Sequence, residues 1–143
     1  MTIPVLFDIA QTVAVIGWAL LIFTPRWKSS QFLVKRLAVP FLLGLLYAYL
    51  LITNIFGSEG GFSSLEEIKK LFSNDALLLA GWVHYLAFDL LVGTWILKHS
   101  QKENIHHLWV VPCLLLTFMA GPVGVLIYVA IYGIKFNKWP VLE

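Results

Sequence analysis

The sequence predicts an all-α integral membrane protein: a four-transmembrane-helix bundle with a short amphipathic surface helix between the second and third spans. Three observations predict it. Of 143 residues, 59 % are hydrophobic and 13 % charged, whereas soluble domains run about 45–50 % apolar and about 25 % charged. Mean hydropathy is +0.83. The apolar residues fall into four runs, residues 4–24, 37–56, 76–97 and 108–134, and all 10 Lys and Arg lie outside them. Each run is close to the roughly 20 residues needed to cross a bilayer. A chain of this length makes one domain, residues 1–143.

In the first span, Asp8, Gln11 and Thr12 occupy roughly the first 12 Å at the helical rise. Arg26, Lys28, Lys35 and Arg36 follow in the first connection. The second span carries Tyr47 and Tyr49 at depth and ends on Thr53 and Asn54. In the second connection Gly57, Gly60 and Gly61 give a flexible entry to Ser64-Leu-Glu-Glu67, which has capping-box spacing. Leu65, Ile68, Leu71 and Phe72 make one apolar face, either on the membrane surface or as a lid over a pocket.

The third span holds His84 and Tyr85 roughly 12–14 Å deep and Asp89 near the midplane. In the fourth, Pro112 sits in the first turns, while Pro122 lies near the centre, removes the bond to the Phe118 carbonyl and predicts a kink flanked by Gly121 and Gly124. A freed carbonyl there would be met by a carboxyl, a ligand hydroxyl, Thr117 or water. With four crossings both chain ends share a face. The first and third connections hold Arg26, Lys28, Lys35, Arg36, Lys98 and Lys102, against Lys69, Lys70, Lys135 and Lys138 opposite, which favours both termini being non-cytoplasmic. Trp27, Trp95, Trp109 and Trp139 lie near span ends, where indoles settle at headgroup level.

Several function classes are excluded. A formal charge of +2 with no basic run argues against nucleic acid. The single Cys113 allows no intrachain disulfide, Cys-based zinc site or iron–sulfur cluster. His99, His106 and His107 cluster in the third connection, but adjacent histidines on a helix point apart, so no metal is expected. Only His84 lies inside a span, too few for a bis-His haem, though one ligand suffices for a chlorophyll magnesium. No Walker loop, HExxH motif or nucleophile elbow occurs. The N-terminus lacks the features of a signal or transit peptide, as expected of a prokaryotic chain or a trimmed organelle protein.

Asp89 is the centre of the functional expectation. A carboxylate at mid-span costs about 2.5–3.5 kcal/mol on insertion scales, so it faces other helices, a cavity or a ligand, or is carried protonated. Gly81, Tyr85, Asp89 and Val92 share one helix face with Trp82 nearly in line, while His84 lies about 140° round from Asp89. The polar side chains, Tyr128 included, concentrate in the half of the membrane nearer the N-terminus, where a pocket would open. Pairing with Gln11, Asn54 or a tyrosine is the structural alternative for Asp89, and interhelical hydrogen bonding that for His84. Gly17, Gly44, Gly93 and Gly133 leave open helix association within the chain, between copies, or with a membrane-complex partner.

Two blocks carry a resemblance: Gly81-Trp-Val-His-Tyr-Leu-Ala-Phe-Asp-Leu-Leu-Val-Gly93 and Val111-Pro-Cys-Leu-Leu-Leu-Thr-Phe-Met-Ala-Gly-Pro-Val-Gly-Val-Leu-Ile-Tyr128. Together with most of the chain, they resemble the abscisic-acid-deficient-four-like family of small four-helix membrane proteins from plastids, cyanobacteria and other bacteria. The resemblance implies a plastid, thylakoid or bacterial inner membrane, a carotenoid ligand and no cofactor. Plant members are needed to convert violaxanthin to neoxanthin, opening a ring epoxide to an allenic alcohol. The resemblance carries that role onto His84, Tyr85 and Asp89 of the first block and Thr117, Gly121 and Pro122 of the second. Depth and residue type make Asp89 the candidate acid and His84 the candidate base, with Trp82 and Phe118 also expected around the substrate. Three readings stay open: a carotenoid isomerase, a non-catalytic pigment binder, and an accessory subunit of a larger membrane complex such as a photosynthetic one; quinone or haem redox chemistry is a minor fourth.

Overall fold

The computed structural model describes residues 2–26 and 37–140. Five helices follow in order: α1 (Ile3–Phe23), α2 (Ala38–Ile55), α3 (Leu65–Leu71), α4 (Asp75–Lys102) and α5 (His107–Phe136), with no strand among the described residues. All but α3 are long and apolar enough to cross a membrane. The chain is a helical membrane protein of the expected class, and its four apolar runs became its four long helices. Trp27, Lys28, Lys35 and Arg36 lie outside the described residues.

Local chemistry fixes the ends. Asn74 caps α4, its side-chain oxygen accepting from the Ala76 and Leu77 amides at 2.9 and 3.3 Å. Ser64 caps α3 by accepting from the Glu67 amide at 3.2 Å, while Glu67 Oε2 accepts from the Ser63 amide at 3.3 Å, one residue earlier than an ideal box. Leu71 is buried. A Cβ on Gly81 would meet the Phe72 ring at 3.3 Å, so α3 is held against the opening turns of α4.

Helix α4 is the hub, packing against α1, α2 and α5. Two glycines permit close approach to α1. A Cβ on Gly93 would meet the Trp18 indole at 2.6 Å, and one on Gly17 would meet Leu90 at 2.8 Å. Val83, Leu90, Ile96 and Leu97 of α4 are sealed from solvent beside Ala14, Trp18 and Leu21 of α1 and Leu43 and Leu50 of α2.

The path of α5 differs from the expected crossing. Its helix is interrupted at Ala120 (φ −149°, ψ 48°) and Gly121 (φ 5°, ψ −79°). Were it only kinked there, Tyr128 would stand about 10 Å beyond Gly121 while His99 stands about 15 Å the other way along α4. Yet the Tyr128 hydroxyl lies 2.6 Å from His99 Nδ1, the Tyr132 ring centroid is 4.9 Å from that of His99, and Lys138 Nζ lies 3.8 Å from Glu103 Oε2. The chain therefore turns back on itself. An entry arm, residues 107–119, rises about 20 Å to mid-membrane, and a return arm, residues 122–136, descends to the end it came from. Pro122 begins the return arm, where a missing N–H costs nothing and the fixed φ suits a helix start. The arms pack so closely that a Cβ on Gly124 would collide with Thr117 Oγ1, the Thr117 amide nitrogen and the Cys113 carbonyl.

This re-entrant hairpin moves several expected positions. Ile3 lines a cavity with Asp75 at the start of α4, whereas Lys138 pairs with Glu103 just past its end, so the first and last described helices begin and end at opposite ends of the bundle rather than on one face. Tyr128, Lys135, Lys138 and Trp139 belong to the end holding Phe23 and Lys102. Polar and aromatic side chains therefore occur in that half too, in the Trp95–His99–Tyr128–Tyr132 ring cluster.

Candidate functional site

The hairpin's apex and the middle of α4 form the candidate site. Ending the entry arm at Met119 leaves its last carbonyls without helical N–H partners, and Pro122 has no N–H to offer. Tyr85 supplies the missing donor: its hydroxyl reaches the Phe118 carbonyl at 3.4 Å and the Met119 carbonyl at 3.3 Å. One turn further along α4, the half-buried Asp89 carboxyl lies against Gly121 so tightly that a Cβ there would collide with Oδ1. Asp89 Oδ2 is buried and has no hydrogen-bond partner. Between them, Tyr85 and Asp89 hold the two sides of the break.

Above the apex, toward the N-terminal end, α1, α2 and α4 are the long helices that continue among the described residues, with α3 at the far end, because α5 turns back. The apex is an exposed shelf: Met119 is 76 % exposed, and Ala120, Pro122 and Val123 are exposed too. Aromatic side chains line the wall above it. Trp82 stacks on Tyr85 with centroids 5.3 Å apart and lies 6.3 Å from Phe7, while its indole N–H donates to Gln11 Oε1 at 3.0 Å. Trp18 packs on Phe118 at 5.5 Å. Near the outer end, Ile3, Phe7, Leu79 and Trp82 help to line a cavity of about 410 Å³.

Of the expected residues, the structure brings together Tyr85, Asp89, Phe118 and Gly121, with Trp82 one turn above and Pro122 at the shelf. It does not bring His84 to them. His84 stacks on Phe88 at 4.6 Å and faces Tyr47 of α2 at 5.1 Å, round the helix from Asp89. Thr117 is buried with its hydroxyl donating to the Cys113 carbonyl at 2.7 Å, so it serves the packing of the two arms. Of the three structural partners weighed for Asp89, the tyrosine is at hand in Tyr85, whose hydroxyl interacts with the carboxyl from one turn away, while the other two are engaged elsewhere. Gln11 accepts from Trp82, and Asn54 donates to the Leu50 carbonyl at 2.8 Å.

Sequence reasoning missed the Met119 carbonyl; the close backbone approach that Gly124 permits beside Pro122 is there, between the two arms. The Gly121-Pro122 dipeptide was the available signal, since Gly-Pro punctuates helices as well as kinking them. The remaining histidines diverge: His106 Nδ1 accepts from the Leu108 amide at 3.4 Å and His107 Nε2 lies 2.8 Å from the Ile22 carbonyl. Among the described residues no three His, Cys, Asp or Glu side chains converge.

A family model described as ABA DEFICIENT 4-like matches residues 5–128. The chain belongs to the ABA4-like family. The matched stretch includes α4, the hairpin's apex and the return arm as far as Tyr128, so the whole site of this ABA4-like protein lies within it. A curated relative, Protein ABA DEFICIENT 4, chloroplastic, of Arabidopsis thaliana, is 24 % identical over 107 residues, which is 69 % of this chain and 49 % of the relative. The chain thus spans about half the length of that relative. No solved structure matches it.

Proposed function

We propose that this protein binds a xanthophyll or related carotenoid by one end ring over the hairpin's apex and isomerises it there, opening a ring epoxide to an alcohol. The observation that carries the reading is the unpartnered Asp89 carboxyl oxygen at mid-membrane, against the break in α5. Membership of the ABA4-like family supports the substrate class. The vacant half-span above the shelf accepts a ring beside Tyr85 and Trp82, and the polyene continues among the acyl chains.

Neutral Asp89 gives its proton to the epoxide oxygen as the ring C–O bond breaks. The carboxylate so formed takes the proton from the adjacent chain carbon, and the released C–H electron pair forms the new double bond. One proton is given and one taken, all substrate atoms are kept, and no oxidant, reductant or cofactor enters. His84 stands on another face of α4, so the second transfer falls to Asp89 itself. Tyr85 positions the apex by holding the Phe118 and Met119 carbonyls.

The same proposal orients the molecule. Among the described residues the end with the C-terminus carries Arg26, Lys98, Lys102, Lys135 and Lys138, and the other end Lys69 and Lys70. The positive-inside rule puts the C-terminus on the cytoplasmic or equivalent side and the N-terminus across the bilayer, in a bacterial inner membrane, thylakoid or plastid membrane.

Liposomes holding the protein and an epoxy-xanthophyll, analysed by chromatography, test the reading. Wild type yields an isomer of unchanged mass, and Asp89→Asn retains the pigment without converting it. Conversion by Asp89→Asn at the wild-type rate removes Asp89 from the chemistry. Pigment retention with no product from either protein selects a non-catalytic pigment binder.

A further inference from the structure

A cavity of about 730 Å³ lies in the other half of the bundle from the apex shelf. It runs between α4 and the return arm, with Leu91, Val125 and Val129 along its walls and Lys98 and Trp139 at its mouth. A second cavity of about 430 Å³ shares Leu91 and Leu37 with it and extends it along α2 past Gly44. From Leu91 to Lys98 the groove descends about 10 Å along α4, from near Asp89 to the membrane surface. It exists because the return arm packs on α4 and the entry arm but leaves α2 apart.

Its walls and its mouth ask for different chemistry. The walls are mostly aliphatic, with Thr94 and the Trp95 ring set among Leu91, Val92, Val125 and Val129. At the mouth Lys98 is exposed and has no hydrogen-bond or ion partner among the described residues. Trp139 is 78 % exposed beside it, an indole at headgroup level. Among the described residues Arg26, Lys102, Lys135 and Lys138 make this end basic, with Glu103 the acidic residue there. We infer that this groove is a binding site for an anionic glycerophospholipid, with one acyl chain between α2 and the return arm and the phosphate on Lys98. Hydrocarbon alone leaves the ammonium unmatched, and free phosphate leaves the groove unfilled. A bilayer lipid supplies both in one molecule. Bound there, it fills the gap left by the hairpin and braces the return arm against α2. The site is separate from the Asp89 shelf and stands or falls apart from any carotenoid chemistry.

Native mass spectrometry of the full chain, exchanged into phosphatidylglycerol or phosphatidylcholine of matched acyl chains, tests it. Wild type keeps one phosphatidylglycerol in preference to phosphatidylcholine. Lys98→Gln lowers phosphatidylglycerol retention about fivefold, as expected for one lysine at an anionic surface, and erases the preference; Lys69→Gln at the opposite end leaves both intact. Val129→Phe, which fills the groove, lowers retention of both lipids. Equal retention of the two lipids by wild type, or an undiminished preference in Lys98→Gln, overturns the proposal. So does inorganic phosphate that binds with the same Lys98 dependence and displaces the lipid.

Discussion

Replacing Gly124 by alanine tests the hairpin most directly. A methyl group there would occupy space held by the Thr117 hydroxyl, the Thr117 amide nitrogen and the Cys113 carbonyl. Two of the three are helix backbone, which does not swing aside as a side chain does. Overpacking of this kind costs about 1–3 kcal/mol, and displacing the Thr117 hydroxyl from the Cys113 carbonyl risks a hydrogen bond worth about 1 kcal/mol. Opposing this, alanine is favoured over glycine inside a helix by about 0.8–1 kcal/mol. Gly44 in α2 is the matched control, because a Cβ there meets nothing within 4 Å and collects only the helix gain. The two substitutions are chemically identical, yet their stabilities should differ by roughly 2–4 kcal/mol on these magnitudes. Denaturant titration in mixed micelles, followed by tryptophan fluorescence, measures the difference. Doubling with Thr117→Ala relieves one of the three collisions and so recovers part of the loss. If Gly124→Ala proves as stable as Gly44→Ala, the arms are not in contact and α5 is not a hairpin.

Three further outcomes follow from the same geometry. Single cysteines at Thr2 and Asn137, both exposed, should react with an impermeant maleimide from opposite sides of sealed vesicles; labelling from one side would restore a full fourth crossing. Asp89→Asn should leave stability unchanged or raise it by up to about 1 kcal/mol, since it removes a buried carboxyl oxygen that no donor satisfies. A loss above about 2 kcal/mol would make Asp89 a structural residue. Asn74→Ala should cost about 1 kcal/mol by uncapping α4, a change visible in thermal denaturation and absent if the cap is idle.

The spans were legible because hydropathy and charge segregation report the solvent directly, and the α3 cap because Ser64 and Glu67 act within one turn. The hairpin was not. Residues 108–134 are evenly apolar, and a segment that doubles back through lipid is as apolar as one that crosses. The Gly121-Pro122 pair marked the break without giving its angle, which depends on the return arm docking at His99 and on the missing Cβ of Gly124. Asp89 could be placed at mid-membrane by counting residues. Its neighbour Gly121 follows from where the entry arm stops, and the separation of His84 from Asp89 from helical periodicity.

A segment that enters and leaves by the same side need not be hauled through the bilayer. In the orientation proposed above, Lys135 and Lys138 stay on the side of synthesis, and the insertion machinery has only to let two short apolar rods sink in together beside α4. The last stage of assembly is therefore a folding event rather than a translocation event. Additions to the carboxyl end, even large or highly charged ones, should leave biogenesis undisturbed.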